Sequence, residues 1–530
     1  MIKNKKIYKY FFYFFLTYSL YCAIIIGESW DEADLITRGK NTFQYLLSFG
    51  RIKQNYIYDE FYSPSYWFFQ FFLSQFFPIK FQTESNHLIN LIVSLSAIIG
   101  FSKLITEIFN KLLGKIIFVI LFFYPIFFGH MSINYKDPVI SFCHVWIFYL
   151  TIRYLKNQFN TKKSNKYIYK IGTLLAIGTG IQMLFLGSLL PVLIFFFLEI
   201  FFFKKIIKKN FNLNLLFVHC IKVLLIFYFF LIFFWPAVHS NILLLPVKLF
   251  FESFTITRGW EWNLLNGEIL LSKNVSLFYF YINFFFKSPE YILFNYILFV
   301  LLIFYFINFF NKEFSNFLYK FIFIFSFLFM PVLIIKLSTF GAYDGMRLFL
   351  WCIPYFCIIP SLTIYFLIKN FKKIMFKFFF YVNILLFSFY LVSFFAITPY
   401  HYTYLNFLNG SNLMKFSKFE GDYWNISIKE LVKKIDFDKY NDFKLATCGI
   451  NRDILKKYLN IYQKQYLNKI SFVDIKNADY LLMVNRVVSD SGNNQHASNI
   501  DTCFNKFKGD SIVKVERSGN TISSIIALNR

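Results

Sequence analysis

The chain has 530 residues, 57% of them hydrophobic and only 16% charged, with a mean hydropathy of +0.50. That balance excludes a soluble multidomain enzyme, and 80 Phe and 37 Tyr beside 20 Gly exclude repeat, collagen-like and disordered classes. The net charge of +26 does not point to nucleic acid, because the basic residues gather in short loops between apolar runs of membrane-spanning length.

Apolar windows predict about eleven membrane helices, near 7–26, 87–106, 116–132, 138–155, 169–186, 188–203, 213–236, 290–310, 319–337, 348–368 and 378–398. The first runs directly into Glu28 without a small-residue cleavage site and is read as a retained helix rather than a signal peptide. Gly172, Gly178, Gly180, Gly187 and Pro191 interrupt the fifth and sixth windows, and loss of one span would reverse the side of the C-terminus. The basic loops, such as Lys162, Lys163, Lys166 and Lys170 or Lys369, Lys372, Lys373 and Lys377, read as cytoplasmic. The expected architecture is therefore an all-α polytopic membrane bundle over residues 1–398, N-terminus inside, with outer loops 27–86 and 237–289. Residues 399–530 are expected to form a small extracytoplasmic α/β domain.

The first outer loop opens on Glu28, Asp31, Glu32 and Asp34. A carboxylate at a membrane boundary loses hydration, which raises its pKa toward the range useful to a general base; four acids at a helix exit are equally well read as solvated. Residues 66–77 form an aromatic segment suited to lie in the interface. Between the third and fourth spans stand His130, Asn134, Tyr135, Lys136, Asp137 and Pro138. Asp137 fits a helix cap, and with Lys136 it equally fits a floor for a phosphate and its partner hydroxyl. The outer loop 237–289 carries Arg258, Gly259, Trp260, Glu261, Trp262 and Lys287, a set suited to a lid or to interfacial anchoring.

No paired His or Cys stands at metal-ligand spacing, and neither a metal nor another cofactor is expected. Cys22, Cys143, Cys220, Cys352 and Cys357 lie in apolar windows, whereas Cys448 and Cys503 are alone in the tail, where an oxidising compartment permits a disulfide. Within the tail, helices are expected over 427–435 and 453–462 and strands over 444–448, 480–484, 512–516 and 522–528.

Four motifs in order carry a resemblance: Asp31-Glu32 after the first span, the stretch from Asn134 to Pro138, the stretch from Tyr343 to Arg347, and the segment from Pro399 to Asn406 followed by Phe419 to Trp424. With these the chain resembles glycosyltransferases of the polytopic C-type superfamily, in the branch of dolichyl-phosphate-mannose protein mannosyltransferases and bacterial aminoarabinose transferases. It departs from that branch in having Leu348 after the Arg and Tyr135 between Asn134 and Lys136. The resemblance implies transfer of a hexose or pentose, mannose among them, from a polyprenyl-phosphate donor to an acceptor hydroxyl at the outer face, by a single inverting displacement. It implies Asp31 as the base, Glu32 as a positioning group with which the role is exchangeable, and Asp137 as an acceptor-binding or orienting group. Lys136 and Arg347 would bind the donor phosphate, with Arg258 and Lys287 as weaker candidates. An Arg at a helix entry also snorkels to headgroups without catalytic part, but the residues before Arg347 favour bidentate phosphate recognition.

The expected partners are the lipid-linked sugar, membrane lipid and a protein, lipid or glycan acceptor, and the expected place is a bacterial inner membrane. Two other classes stay open. A non-catalytic lipid-binding scaffold fits the same fold, and a transporter fits a bundle with intramembrane prolines, although the charges collect at the boundary rather than at the midplane.

Overall fold

A computed structural model describes residues 5–52, 61–205, 211–254, 259–337, 341–411, 415, 417–440, 442–489 and 499–528. The apolar helix α1 (Lys5–Ile25) leads into two short helices, α2 (Glu32–Leu47) and α3 (Ser65–Ser74), that pack on each other at one end of the bundle. Next come α4 (Gln82–Ile108), α5 (Lys111–Phe122), α6 (Pro125–His130), α7 (Asp137–Asn157) and α8 (Thr161–Ile181), with α4 lying along α7 and α5, and α7 along α8. Side chains of Asn110 and Asn160 accept from the Leu113 and Lys163 amides and so start α5 and α8 with satisfied donors. The expected span 116–132 is divided into α5 and α6, because Pro125 has no amide hydrogen and holds Tyr124 extended at ψ 112°.

The chain continues through α9 (Phe185–Ser188), α10 (Leu190–Leu198), α11 (Leu213–Phe233) and α12 (Leu244–Glu252) to a hairpin of β1 (Trp262–Leu265) and β2 (Glu268–Leu271). After it come α13 (Tyr279–Lys287), α14 (Glu290–Glu313), α15 (Phe317–Leu337), α16 (Ile353–Phe356), α17 (Ile358–Lys369) and α18 (Ile374–Ala396). Six of these helices are long and apolar enough to cross a membrane by length and composition: α4 with the turn before it, α7, α11, α14, α15 and α18. Of the other expected windows, 7–26 and 169–186 overlap α1 and α8, each of 21 residues but outside those six, and 116–132, 188–203 and 348–368 hold shorter or broken helices. Phe217, Leu224, Leu225 and Phe229 of α11 are exposed, which suits a surface bathed in lipid rather than water.

The tail carries β3 (Phe443–Cys448), β4 (Ile470–Phe472), β5 (Tyr480–Val484), β6 (Val487–Val488), β7 (Asp501–Thr502), β8 (Ser511–Arg517) and β9 (Asn520–Ala527). Five strands form one mixed sheet in the order β4-β3-β5-β9-β8, parallel across β4, β3 and β5 and antiparallel across β9. Helices Ile428–Lys434 and Arg452–Tyr462 pack against each other, the former also against β8 and β9, and Cys448 and Cys503 are joined by a disulfide. The expected strands and helices of the tail are found within a few residues of their expected bounds, and the short β4, β6 and β7 are additional to them.

The tail is seated on the bundle. Lys429 Nζ donates to the Ile24 and Ile26 carbonyls at the C-terminus of α1, at 3.0 and 3.2 Å, and pairs with Glu84 at 3.1 Å; carbonyls left open at a helix end are where a cation is most useful. Ile26 and Ile133 share one apolar core with Tyr402, Trp424, Leu431 and Leu455. Gly129 makes the approach possible, since a Cβ there would lie 2.3 Å from the Tyr402 amide nitrogen. The surface that receives the tail is thus the end of the bundle where α2, α3 and the hairpin also gather.

Candidate active site

Asn134 builds the floor of the site. Its Oδ1 accepts from the amides of Lys136 and Asp137, both at 3.0 Å, and its Nδ2 donates to Asp137 Oδ2 at 2.7 Å. Beneath it, Asn90 and Ser94 of α4 bind the carbonyls of Met131 and Asn134 at 2.8 to 2.9 Å, and Trp67 of α3 donates to the Tyr135 carbonyl at 3.0 Å. This buried polar network leaves Lys136 and Asp137 projecting from the start of α7 with fixed backbones. His130 is held by the Tyr423 hydroxyl at 3.0 Å, a structural contact with the tail.

Asp31 meets this floor from α1's exit. Its Oδ2 lies 3.8 Å from Lys136 Nζ and 3.8 Å from Arg347 Nη1. Burial pushes the Asp31 carboxyl up, but Lys136, Arg347, Arg486 and Arg38 outweigh it and hold the group below the ordinary carboxylate range. The expected upward shift of this acid is therefore corrected: a boundary carboxylate among four cations is stabilised as the anion.

Glu32 does not join the group. It is buried, and its oxygens accept from the Ser29 amide at 2.8 Å and the Tyr135 hydroxyl at 2.8 Å and lie 2.9 Å from His87 Nε2. It thus ties down the backbone just before α2 and faces the bundle interior, while the Ser29 hydroxyl donates to the Ile133 carbonyl at 3.0 Å. Glu28 and Asp34 are likewise engaged, the first by Lys457 and the second by Arg38 at 2.8 Å.

Arg347 comes from a turn braced by β1 and α13. Asn263 donates to the Ala342 carbonyl at 2.6 Å, and the Gly345 amide donates to the Tyr279 hydroxyl at 2.9 Å. Asp344 and Gly345 both have positive φ, +56° and +66°, and a Cβ on Gly345 would lie 2.7 Å from Lys287 Nζ. A left-handed pair this tightly packed is a costly local conformation, and it delivers Arg347 into the cluster. Besides Asp31, the guanidinium reaches Asp344 at 3.1 Å and Asp137 at 3.8 Å, and it stacks 4.8 Å from the ring centres of both Tyr343 and Trp424. Arg347 is 5% exposed, and its Nε has no hydrogen-bond partner among the described residues.

Three further groups, all distant in sequence, complete the site. Arg486 of the tail lies 3.3 Å from Asp344 and 3.9 Å from the ring centre of Trp260. Lys287, at the end of α13, is buried over Phe419, and burial lowers its ammonium to about 8 against the pull of Glu420 and Asp344. Glu420 is buried too; burial raises its carboxyl to about 7 although Arg486 acts the other way. No local motif marks Arg486, and only the Trp-Glu-Trp stretch around its ring partner stood out in the sequence. Arg258 lies outside the described residues.

An apolar cavity of about 170 Å³ flanks the cluster, lined among others by Ile140, Ala342, Leu348, Phe349 and Trp351, the near neighbours of Asp137 and Arg347. On the other side a cavity of about 300 Å³ is lined by Asp34, Thr37, Arg38, Asn41 and Tyr62, and the Tyr62 ring carries Lys136 Nζ at 5.0 Å and Arg38 at 5.2 Å. Chain neighbours of the cluster thus line both cavities, the second of which carries the polar side chains Asp34, Thr37, Arg38 and Asn41.

No family model matches the chain and no curated protein does. Among solved structures it is similar to ArnT from Cupriavidus metallidurans in the apo state, at 10% identity over 98% of both chains with a TM-score of 0.48. It is similar to the same protein bound to undecaprenyl phosphate, at 9% identity over 97% of this chain and 98% of that one with a TM-score of 0.49. A third likeness is to the Archaeoglobus fulgidus oligosaccharyltransferase in the apo form, at 9% identity over 90% of this chain and 70% of that one with a TM-score of 0.41.

Proposed function

We propose that the chain is a membrane glycosyltransferase that moves a sugar from a polyprenyl-phosphate donor to an acceptor hydroxyl at the outer face of the membrane. One observation carries this reading: a single ionised oxygen, Asp31 Oδ2, lies 3.8 Å from both Lys136 Nζ and Arg347 Nη1, and chain neighbours of Arg347 and of Asp31 line two separate cavities. A lipid phosphate needs an apolar path for its chain and fixed cations for its head, and an acceptor needs a base in a polar space.

In this reading the donor phosphate sits against Lys136 and Arg347; the Arg347 Nε, 3.8 Å from Asp137 Oδ2, makes no hydrogen bond among the described residues. The acceptor oxygen attacks the anomeric carbon as the bond from that carbon to the phosphate oxygen breaks; the electron pair leaves with the phosphate, and the acceptor's proton goes to Asp31. Attack opposite the leaving group inverts the anomeric centre. An ionised Asp31 suits this order of events. Arrival of a phosphate pairs Lys136 and Arg347, two of the four cations that hold the carboxylate anionic, so its basicity rises when the donor is bound. Asp137 orients Arg347, and Glu32 supports the floor through Tyr135 rather than touching substrate.

The sugar, a hexose such as mannose or a pentose, and the protein, lipid or glycan acceptor belong to this proposal, as do a bacterial inner membrane, a cytoplasmic N-terminus and an extracytoplasmic domain over 399–530. The test is sugar transfer by purified protein in lipid nanodiscs, with a panel of radiolabelled polyprenyl-phosphate sugars and hydroxyl acceptors. Turnover of one donor with inversion supports the reading, and retention of configuration contradicts it.

A further inference from the structure

Arg347 faces an electrostatic difficulty. Three carboxylates surround it, and the nearest, Asp344 Oδ2 at 3.1 Å, is close enough to occupy the guanidinium by itself. A cation fully neutralised by its own protein is a poor anion receptor. The other two carboxylates lie at 3.8 Å, and one of them, Asp31, is shared with Lys136.

We propose that Arg486, supplied by the C-terminal tail, is a positioning residue for phosphate recognition: it takes a share of Asp344 and so keeps Arg347 available to the donor. The inference rests on the transferase reading and extends it to the tail. Arg486 Nη2 lies 3.3 Å from Asp344 Oδ1 while Arg347 Nη1 holds Oδ2, so one carboxylate bridges two guanidinium groups, each by its own oxygen.

Arg486 is held by aromatic rings and by a backbone carbonyl, although its Nε makes no hydrogen bond among the described residues. It is 3% exposed, stacked at 3.9 Å from the Trp260 ring centre and 5.5 Å from that of Trp30, and its Nη1 donates to the Tyr423 carbonyl. The residue after Tyr423 is Trp424, whose ring stacks on Arg347. Its own carbonyl accepts from the Cys503 amide at 2.9 Å, beside the disulfide to Cys448. Two arginines are thus held by aromatic faces on either side of one aspartate, a planar arrangement that lysine does not reproduce.

A double-mutant cycle tests this, read as the affinity of the full-length protein for farnesyl phosphate in nanodiscs. Each variant is checked for an unchanged gel-filtration profile. Arg486→Gln is expected to weaken binding about tenfold, because Asp344 then belongs to Arg347 alone. Adding Asp344→Asn, which tolerates the left-handed backbone at that position, is expected to restore most of the loss. A merely structural role for Arg486 predicts no such rescue. Binding that Arg486→Gln leaves unchanged, or a loss that Asp344→Asn does not relieve, overturns the inference while the transferase reading stands. A wild type that binds no polyprenyl phosphate overturns both.

Discussion

Asp31 and Glu32 are adjacent in the chain and face opposite ways: Asp31 turns to Lys136 and Arg347, each 3.8 Å away, and Glu32 turns inward onto His87 at 2.9 Å and Tyr135 at 2.8 Å. Helix α2 starts between them, so the first acid stays at the cluster while the second becomes part of the scaffold.

This separation predicts different failures for the two amides. Glu32→Gln keeps one acceptor oxygen and turns the other position into a donor, so either the Ser29 amide or the Tyr135 hydroxyl and His87 lose their acceptor, and removing one such buried partner costs about 1–3 kcal/mol. Its thermal unfolding is expected well below that of the wild type. Asp31→Asn, with a third of its side chain exposed, is expected to unfold near the wild-type temperature. Equal destabilisation by both changes contradicts the assignment.

The geometry of Arg347 predicts that charge alone does not suffice. Arg347→Lys loses the fork that reaches Asp344, Asp31 and a phosphate together, and its place between Tyr343 and Trp424. Farnesyl phosphate binding is expected to fall about tenfold in Arg347→Lys and further in Arg347→Ala, measured by titration in nanodiscs. Wild-type affinity in Arg347→Lys would mean that the phosphate is held elsewhere.

Glu420 gives the folded protein a pH dependence. Burial raises its carboxyl from the usual 4.5 to about 7, so between those values the folded chain holds a proton that the unfolded chain releases. The associated stability is fully present below 4.5 and is lost as pH rises through 7. Relative to Glu420→Gln, the wild type is expected to lose roughly 1.4 kcal/mol per pH unit across that window. Parallel unfolding profiles for the two proteins contradict it.

The disulfide predicts a redox effect on the tail. Cys448 and Cys503 lie 55 residues apart, and closing a loop of that length restricts the unfolded chain by about 4 kcal/mol in the chain-entropy account. Reduction, or Cys503→Ser, is expected to lower the unfolding temperature of the tail, followed by proteolysis of the 443–527 region. An unchanged digestion pattern on reduction opposes this.

Much of this was legible in the sequence. Six of the eleven apolar windows hold helices long and apolar enough to cross a membrane, because span length and hydropathy are local properties, and the division of 116–132 comes from Pro125, whose effect on Tyr124 is also local. The meeting of Asp31, Lys136, Asp137 and Arg347 was foreseen from motif order, but not by any spacing rule. Arg486 was missed because a lone arginine in a tail has no local mark; only the fold sets it beside Asp344. The direction of the Asp31 shift is hidden from the sequence for a related reason: burial is foreseeable at a helix exit, whereas Lys136, Arg347 and Arg486 come from distant segments.

The measurement that bears most directly on the central claim is sugar transfer by the wild type and Asp31→Asn in nanodiscs, with donor binding followed in the same samples. The account predicts that Asp31→Asn still binds the polyprenyl-phosphate donor through Lys136 and Arg347 while transfer falls by about two to four orders of magnitude, the usual share of a general base. Transfer at the wild-type rate in Asp31→Asn would contradict it, and would remove the base from the proposed mechanism.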